Sequence, residues 1–293
     1  MKILITGSTG RVGRAIYIRL CKKHPVAGLD RAPSSTADFV GDIGDETLLA
    51  RALKGVDAVV HTAALHAPHV GILPDAEFER INIHATRRLL ELAVDAGVSR
   101  FVLTSTTALY GDAATPANQA GWVDEEMVPI PRTIYHRTKL AAEEEVKQAA
   151  ACGRLSATVI RMSRCFPEQA SLMSVYRLHR GIDARDVASA HDLALHLNEP
   201  GFRIFVASGV TPFEPSDCQQ LAVDAVSVLR RRAPSLVTEF EHRGWALPTK
   251  IDRVYSPRAL CALGWAPRYS YAEVLRLLEQ ESAEVLPEEH YSI

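Results

Sequence analysis

Lys2-Ile3-Leu4-Ile5-Thr6-Gly7-Ser8-Thr9-Gly10-Arg11-Val12-Gly13 decides the reading of this chain. An apolar run with strand character ends at Thr6, glycines follow at Gly7, Gly10 and Gly13, and an amphipathic helical pattern, Val12–Lys22, begins among them. Between a strand and a helix each glycine has a job. One permits the tight turn, one lets the backbone approach a pyrophosphate, and one lets helix and strand pack closely, with phosphate charge facing the helix N-terminus. Glycine-rich turns also arise for steric reasons alone; it is the position of this one that makes it a dinucleotide signal.

Reading outward, strand-like and helical patterns alternate: Val26–Asp30, helical Thr47–Lys54, apolar Asp57–Thr62, a long helical stretch Asp75–Ala96 closed by Gly97, then strand Phe101–Ser105. A proline-containing loop between Gly111 and Arg132 leads to helix Thr133–Ala151, strand Ala157–Arg161 and a sixth strand, Phe202–Ala207. This is the βαβ alternation of an α/β protein, a Rossmann-type doubly wound parallel sheet. Later helices are expected at Arg180–Leu197, Ser216–Arg231 and Tyr271–Glu281. Residues 1–166 read as a dinucleotide-binding domain and 167–293 as a segment that returns to the sheet and forms a small substrate-binding lobe. Arg230-Arg231-Arg232 reads as a solvated helix end.

Thirty-three Lys and Arg against 35 Asp and Glu leave a net charge of -2, which provides no field for nucleic acid or an anionic membrane. Five scattered cysteines without metal or redox spacing read as reduced thiols of a cytoplasmic protein. No apolar run has signal-peptide or transmembrane character.

Asp30 closes the second strand at the distance where an acid accepts from both adenine-ribose hydroxyls and repels a 2′-phosphate, pointing to NAD. Arg31 beside it keeps NADP as the less favoured cofactor, because a guanidinium can pair with a 2′-phosphate. Tyr135-His136-Arg137-Thr138-Lys139 sets a phenol and an ammonium on one helical face. A cation beside a tyrosine lowers its pKa and makes it a proton acceptor for an alcohol under oxidation.

The Gly-x-x-Gly-x-x-Gly spacing resembles the extended short-chain dehydrogenase/reductases, the NAD-dependent epimerase/dehydratase group, and further matches run along most of the chain. The resemblance implies cofactor contacts from Gly7, Thr9, Gly10, Arg11, Val12, Gly13, Asp30 and Arg31. Asp42-Ile43 is similar to the family pair whose carboxylate and backbone meet the adenine. His61-Thr62-Ala63-Ala64 is similar to the strand-end motif that brings Ala63 and Ala64 under the dinucleotide, and Asn82 matches the family's helix asparagine. Aligning the family's closing Tyr-Gly on Tyr110-Gly111 gives the catalytic hydroxyl to Thr106, with Ser105 and Thr107 as alternatives. The implied chemistry is hydride transfer: Tyr135 takes the proton, Lys139 supports Tyr135 and holds the nicotinamide ribose, and Thr106 orients the oxygen. A homodimer is also a family expectation.

Departures narrow the substrate. Thr107-Ala108 stands where family dehydratases carry an Asp-Glu pair, which disfavours elimination and leaves epimerisation or oxidation. The nucleotide-wrapping segment is largely missing between Arg161 and Arg180, and this shortened form is similar to uronate dehydrogenases. Arg164 and Arg177 are candidate anchors for a substrate carboxylate; His66, with Thr107, is a candidate for the pocket rim, as is His69. The three histidines His61, His66 and His69 lack an accompanying ligand set, so no metal is expected. The expected function is NAD-dependent oxidation or reduction at a secondary alcohol or carbonyl of a sugar or sugar acid. A UDP-sugar 4-epimerase type of enzyme, or a non-catalytic NAD(P)-sensing regulator of the same fold, is the alternative.

Overall fold

The structure, a computed structural model, describes residues 1–197 and 200–288. Its strands are β1 (Ile3–Thr6), β2 (Val26–Asp30), β3 (Phe39–Val40), β4 (Ala58–His61), β5 (Arg100–Thr106), β6 (Gly121–Val123), β7 (Ser156–Met162), β8 (Phe202–Ala207) and β9 (Arg253–Tyr255). Seven of them form one sheet in the order β3-β2-β1-β4-β5-β7-β8, while β6 and β9 pair separately. The pairs β1–β2, β1–β4, β2–β3 and β4–β5 are parallel. Every residue of β1 and β4 is buried, as expected for central strands covered on both faces. The two-residue β3 carries too short a pattern to be read from sequence.

Strand order runs outward one way from β1 through β2 and β3, and the other way from β4 through β5. The switch point therefore lies beyond the carboxyl ends of β1 and β4, at Gly7 and Thr62, where open α/β sheets bind ligands.

The chain divides into two compact units, Met1–Leu109 with Pro131–Arg161 and Val187–Phe205, and Tyr110–Ile130 with Met162–Asp186 and Val206–Ile293. In place of one cut near residue 166, the chain leaves the first unit three times, after Leu109, after Arg161 and after Phe205, so no single boundary describes the second unit.

In the first unit helices α1 (Arg11–Leu20), α2 (Glu46–Ala52), α3 (Asp75–Glu79), α4 (Ala85–Asp95) and α5 (Ile134–Ala151) accompany the strands. A core of Leu4, Leu49, Val59, Phe78, Leu89, Phe101, Val146 and Val159 lies among them. The expected single helix over Asp75–Ala96 is instead α3 and α4 joined by a π-helical turn, Arg80–His84. Thr86 Oγ1 donates to the Asn82 carbonyl at 2.9 Å within this widened stretch, and such turns accompany functional side chains.

Helix α6 is Ala170–His179 and α7 is Ala184–Leu195, shorter at both ends than the sequence pattern. The expected helix over Ser216–Arg231 is two, α8 (Cys218–Leu221) and α9 (Ala225–Arg232). They are followed by α10 (Pro234–Arg243), α11 (Arg258–Ala262) and α12 (Tyr271–Glu279). Helices α8 to α10 pack Leu221, Leu229, Leu236 and Phe240 onto Phe213 and Val254 in the second unit. Arg231 and Arg232 are not merely solvated: both donate to the buried Asp217 at 2.9 Å. No helix among the described residues is long and apolar enough to cross a membrane.

Candidate active site

The glycine turn is built by close packing. A Cβ on Gly13 would stand 2.1 Å from the Gly7 carbonyl oxygen, and one on Gly7 would stand 2.6 Å from the Ala63 amide nitrogen. Gly7 also has φ of 70°, the left-handed region that favours glycine. Gly10 differs: its Cβ position meets only the Gly7 carbonyl oxygen, at 3.4 Å, and the residue is exposed. Gly10 is the N-cap of α1, whose first turn has neither a side-chain cap nor an acidic residue. A ten-residue helix thus presents an uncapped positive end behind an open glycine, a cradle that fits a pyrophosphate.

Asp30 braces the turn from β2. One carboxylate oxygen accepts from the Thr9 amide at 3.0 Å and the other from the Ala32 amide at 3.1 Å. Each oxygen keeps a lone pair for a ribose hydroxyl, so the residues present fit a dinucleotide with a free 2′-hydroxyl. Arg31 is exposed beside it. Asp42 is engaged by Arg80, through bonds of 2.9 and 3.1 Å, and by the Gly44 amide at 2.7 Å. Together these contacts hold its carboxyl below the usual carboxylate range, the Arg80 bonds most strongly. The Ile43 side chain is buried in the core.

Below the turn, His61 is buried and fully bonded. Thr86 Oγ1 spends its proton on the Asn82 carbonyl, so it accepts from His61 Nε2–H at 2.9 Å, and Nδ1 takes the Thr6 hydroxyl proton at 2.6 Å. Burial, with Lys139 adding to it, lowers His61 to about 3. The neutral ring is a fastener between β1, β4 and α4. His66 and His69 stack edge to face with centroids 4.7 Å apart, and His69 Nδ1 accepts from the His66 amide at 3.1 Å.

Beyond β5 come the residues read from sequence as a proton-transfer set. Thr133 caps α5, its hydroxyl accepting from the His136 amide, so Tyr135 falls in the first turn and Lys139 one turn later. Thr106 stands near enough to Tyr135 to favour its phenolate. Thr106 Oγ1 accepts from the Ala108 amide at 3.1 Å, whereas the Ser105 hydroxyl is committed to Glu143 at 2.5 Å. Of the three candidate hydroxyls, Thr106 is the one that bears on the phenol, and Thr107 is buried.

The electrostatics depart from the sequence expectation. Burial pushes Tyr135 up to about 12, against the opposing effect of Thr106. Lys139, buried with Nζ donating to the Thr104 carbonyl at 2.8 Å, is lowered to about 8 by burial, against the nearby Glu143. The ammonium is spent on a backbone carbonyl, and desolvation of the phenolate dominates. Tyr135 is therefore a protonated phenol at neutral pH, ready to donate.

In the second unit, Arg164 pairs with Glu168 and lies 5.6 Å from the Phe166 centroid and 6.0 Å from that of Tyr176, its side chain 44% exposed. Arg177 corrects the expectation of a second anchor. It is 3% exposed and donates to Asp183 at 3.2 Å, a buried ion pair in place of an accessible fork. Sequence reading also missed Glu143 and Arg161, which pair in the core behind the tyrosine and lysine; the signal available was an acid four residues after Lys139.

The model of the NAD dependent epimerase/dehydratase family matches residues 3–174. An NAD-dependent glucose-6-phosphate dehydrogenase of Haloferax volcanii is 31% identical over 160 residues, 48% of this chain and 60% of that protein. The chain spans about half the length of the first curated relatives it matches. Among solved structures, the UDP-glucose 4-epimerase of Thermus thermophilus in complex with NAD aligns with a TM-score of 0.70 at 23% identity, over 94% of this chain and 97% of its own. A mutated uronate dehydrogenase aligns with a TM-score of 0.66 at 18% identity, over 98% and 89%. At these identities the likeness is one of fold.

Proposed function

The chain belongs to the NAD dependent epimerase/dehydratase family, and from that premise we propose that it transfers hydride between NAD and a secondary alcohol or carbonyl of a sugar or sugar acid. The observation that carries the reading is the placement of Tyr135 in the first turn of α5, beside Thr106 and one helical turn before a buried Lys139, in the same unit as the Asp30-braced glycine turn. A redox-silent binding protein has no use for such a group.

When bound, the dinucleotide supplies the hydride acceptor or donor, and in its oxidised form a positively charged ring. The chain's residues do the rest. The α1 N-terminus and Gly10 receive the pyrophosphate, and Asp30 receives the adenine ribose. Thr106 fixes the substrate oxygen, and Tyr135 gives that oxygen a proton during reduction or removes it during oxidation. Lys139 adds positive charge beside the phenol and a donor for the nicotinamide ribose.

A free sugar acid is the proposed substrate class. Support comes from the short stretch between Arg161 and Arg180 and from Arg164, a partly exposed guanidinium near two aromatic rings that receives a substrate carboxylate by exchanging it for Glu168. In this reading His66 and Thr107 contribute to substrate selection. A cytoplasmic location goes with it, supported by five cysteines that form no disulfide, as does a homodimer joined through cofactor-domain helices.

The test is to mix protein and NAD with free uronates, aldoses and UDP-sugars, following reduced nicotinamide by absorbance and sugars by mass-resolved chromatography. Net reduction with a free sugar acid supports the proposal. Isomerisation of a UDP-sugar without net reduction replaces it with the epimerase reading, and inertness toward all of them, with NAD bound, leaves the sensor reading.

A further inference from the structure

Behind Lys139 the helix carries a second charge that the reaction as written does not use. Glu143 is one turn further along α5, 3% exposed, and both of its oxygens are claimed. Arg161 on β7, itself 4% exposed, reaches them through Nε at 3.1 and 3.2 Å and through its terminal nitrogen at 2.7 Å, and Ser105 on β5 donates its hydroxyl at 2.5 Å. Three elements, β5, β7 and α5, are thereby tied at one carboxylate. Ser105 lies between Thr104, whose carbonyl receives Lys139, and Thr106, which stands near Tyr135.

A buried ion pair is weak evidence of stabilisation, since apolar residues of similar volume do as well; its placement here asks for another account. We infer that Glu143, clamped by Arg161 and Ser105, is a positioning residue. It holds the end of β5 that carries Thr104 and Thr106 in register with the face of α5 that carries Tyr135 and Lys139, and it sets a fixed negative charge against the Lys139 ammonium.

The groups facing that ammonium are few. Among the described residues, Glu143 belongs to its own helix, the Thr104 carbonyl comes from β5, and neutral His61 comes from β4; Arg161 on β7 reaches it through Glu143. Of these, Glu143 is the one negative charge, and it opposes the burial that lowers Lys139. Arg161 neutralises part of that charge. The clamp therefore sets how much of Lys139 is cationic at working pH, which bears on catalysis only under the function proposed above.

The test reads Lys139 directly, so that it does not depend on a substrate. Protein labelled with carbon-13 at the lysine ε-carbon is titrated by NMR, and Lys139→Arg assigns the signal. Glu143→Gln is expected to lower the Lys139 midpoint by about one pH unit, tenfold in proton affinity. Ser105→Ala, which keeps the charge, is expected to leave it in place. Because Glu143→Gln strands a buried guanidinium, the paired Glu143→Leu/Arg161→Met variant, apolar at both positions, is titrated alongside and is expected to show a smaller fall in the same direction, since the Arg161 charge goes with its partner. An unchanged midpoint in either folded Glu143 variant overturns the proposal. With an active substrate in hand, the alkaline limb of kcat/KM should move with the midpoint; a merely structural role lowers the melting temperature and leaves that limb fixed. Absence of any turnover in the wild-type protein counts against the proposed function and leaves the titration result standing.

Discussion

Asn82 Nδ2 donates to Thr138 Oγ1 at 3.0 Å, joining the π-helical turn after α3 to the residue between Tyr135 and Lys139 on α5. The same amide donates to the Leu65 carbonyl at 3.0 Å and accepts from the Leu65 amide at 2.8 Å. One side chain thus fixes the loop that follows β4 to the helix that carries Tyr135 and Lys139. Asn82→Ala leaves a buried N–H and C=O without partners, each worth about 1–3 kcal/mol. We expect a loss of about 3 kcal/mol in urea denaturation, and a fall in turnover larger than that of an exposed control such as Glu91→Ala. A stability within 0.5 kcal/mol of wild type, taken as about the noise of surface changes, would contradict the account.

The glycine turn separates steric from ligand-facing roles. Gly13→Ala forces a methyl to within 2.1 Å of the Gly7 carbonyl oxygen, so thermal stability and NAD affinity should fall together. Gly10→Ala meets only one atom at 3.4 Å and keeps an ordinary φ of -67°. Its melting temperature should stay near wild type while NAD affinity, measured by calorimetry, drops about tenfold or more, roughly 1.4 kcal/mol. If Gly10→Ala binds NAD as wild type does, the pyrophosphate does not lie where the open glycine was taken to receive it.

Tyr135→Phe removes the proton carrier and leaves the packing. Turnover should fall about 10²- to 10⁴-fold with NAD affinity within a few-fold of wild type. Thr106→Ala should cost about 10²-fold on the scale of a lost transition-state hydrogen bond, and Thr106→Ser should recover most of it. Ser105→Ala should cost less, because that hydroxyl serves Glu143. Stopped-flow single turnovers would expose a reversed order of the two alanine variants.

The sheet was legible because its signals are local and strong: the run Ile3–Thr6, the glycine spacing, and Tyr135 with Lys139 one helical turn apart each report a geometry that backbone periodicity alone imposes. What escaped reading depends on contacts far apart in sequence. Glu143 finds Arg161 across 18 residues and Ser105 across 38, and the π turn at Asn82 answers to a loop and a helix outside its own segment. Arg177 illustrates the same limit. Its sequence neighbourhood looks like an anchor, and only the fold reveals that Asp183 already holds it in the interior. The Tyr135 expectation missed for an energetic reason, since spacing predicts the neighbouring cation but not the burial that outweighs it.

Three histidines make stability depend on pH in a defined window. His61, His179 and His191 are buried at 1%, 4% and 0% exposure, and burial lowers them to about 3, about 3 and about 4. His191 Nδ1–H donates to the Val187 carbonyl and Nε2 accepts from Thr104 Oγ1, both at 2.8 Å, so the neutral ring is the bonded form. An unfolded histidine titrates near 6.5. Below that value the unfolded chain binds protons that the folded chain refuses, so the stability of the neutral rings is present above pH 6.5 and lost as pH falls toward 3 or 4. At pH 5 each ring should cost about 2 kcal/mol, from 1.36 kcal/mol per unit over 1.5 units. Urea midpoints should therefore drop steeply between pH 7 and pH 5, before most carboxylates titrate, with nearly three protons taken up on unfolding at pH 5. His191→Gln, which keeps an amide able to serve both neighbours and cannot titrate, should remove about one third of that slope. A midpoint flat from pH 7 to pH 5 in the wild-type protein would mean that the three rings are protonated where they sit, against the bonding seen around His61 and His191.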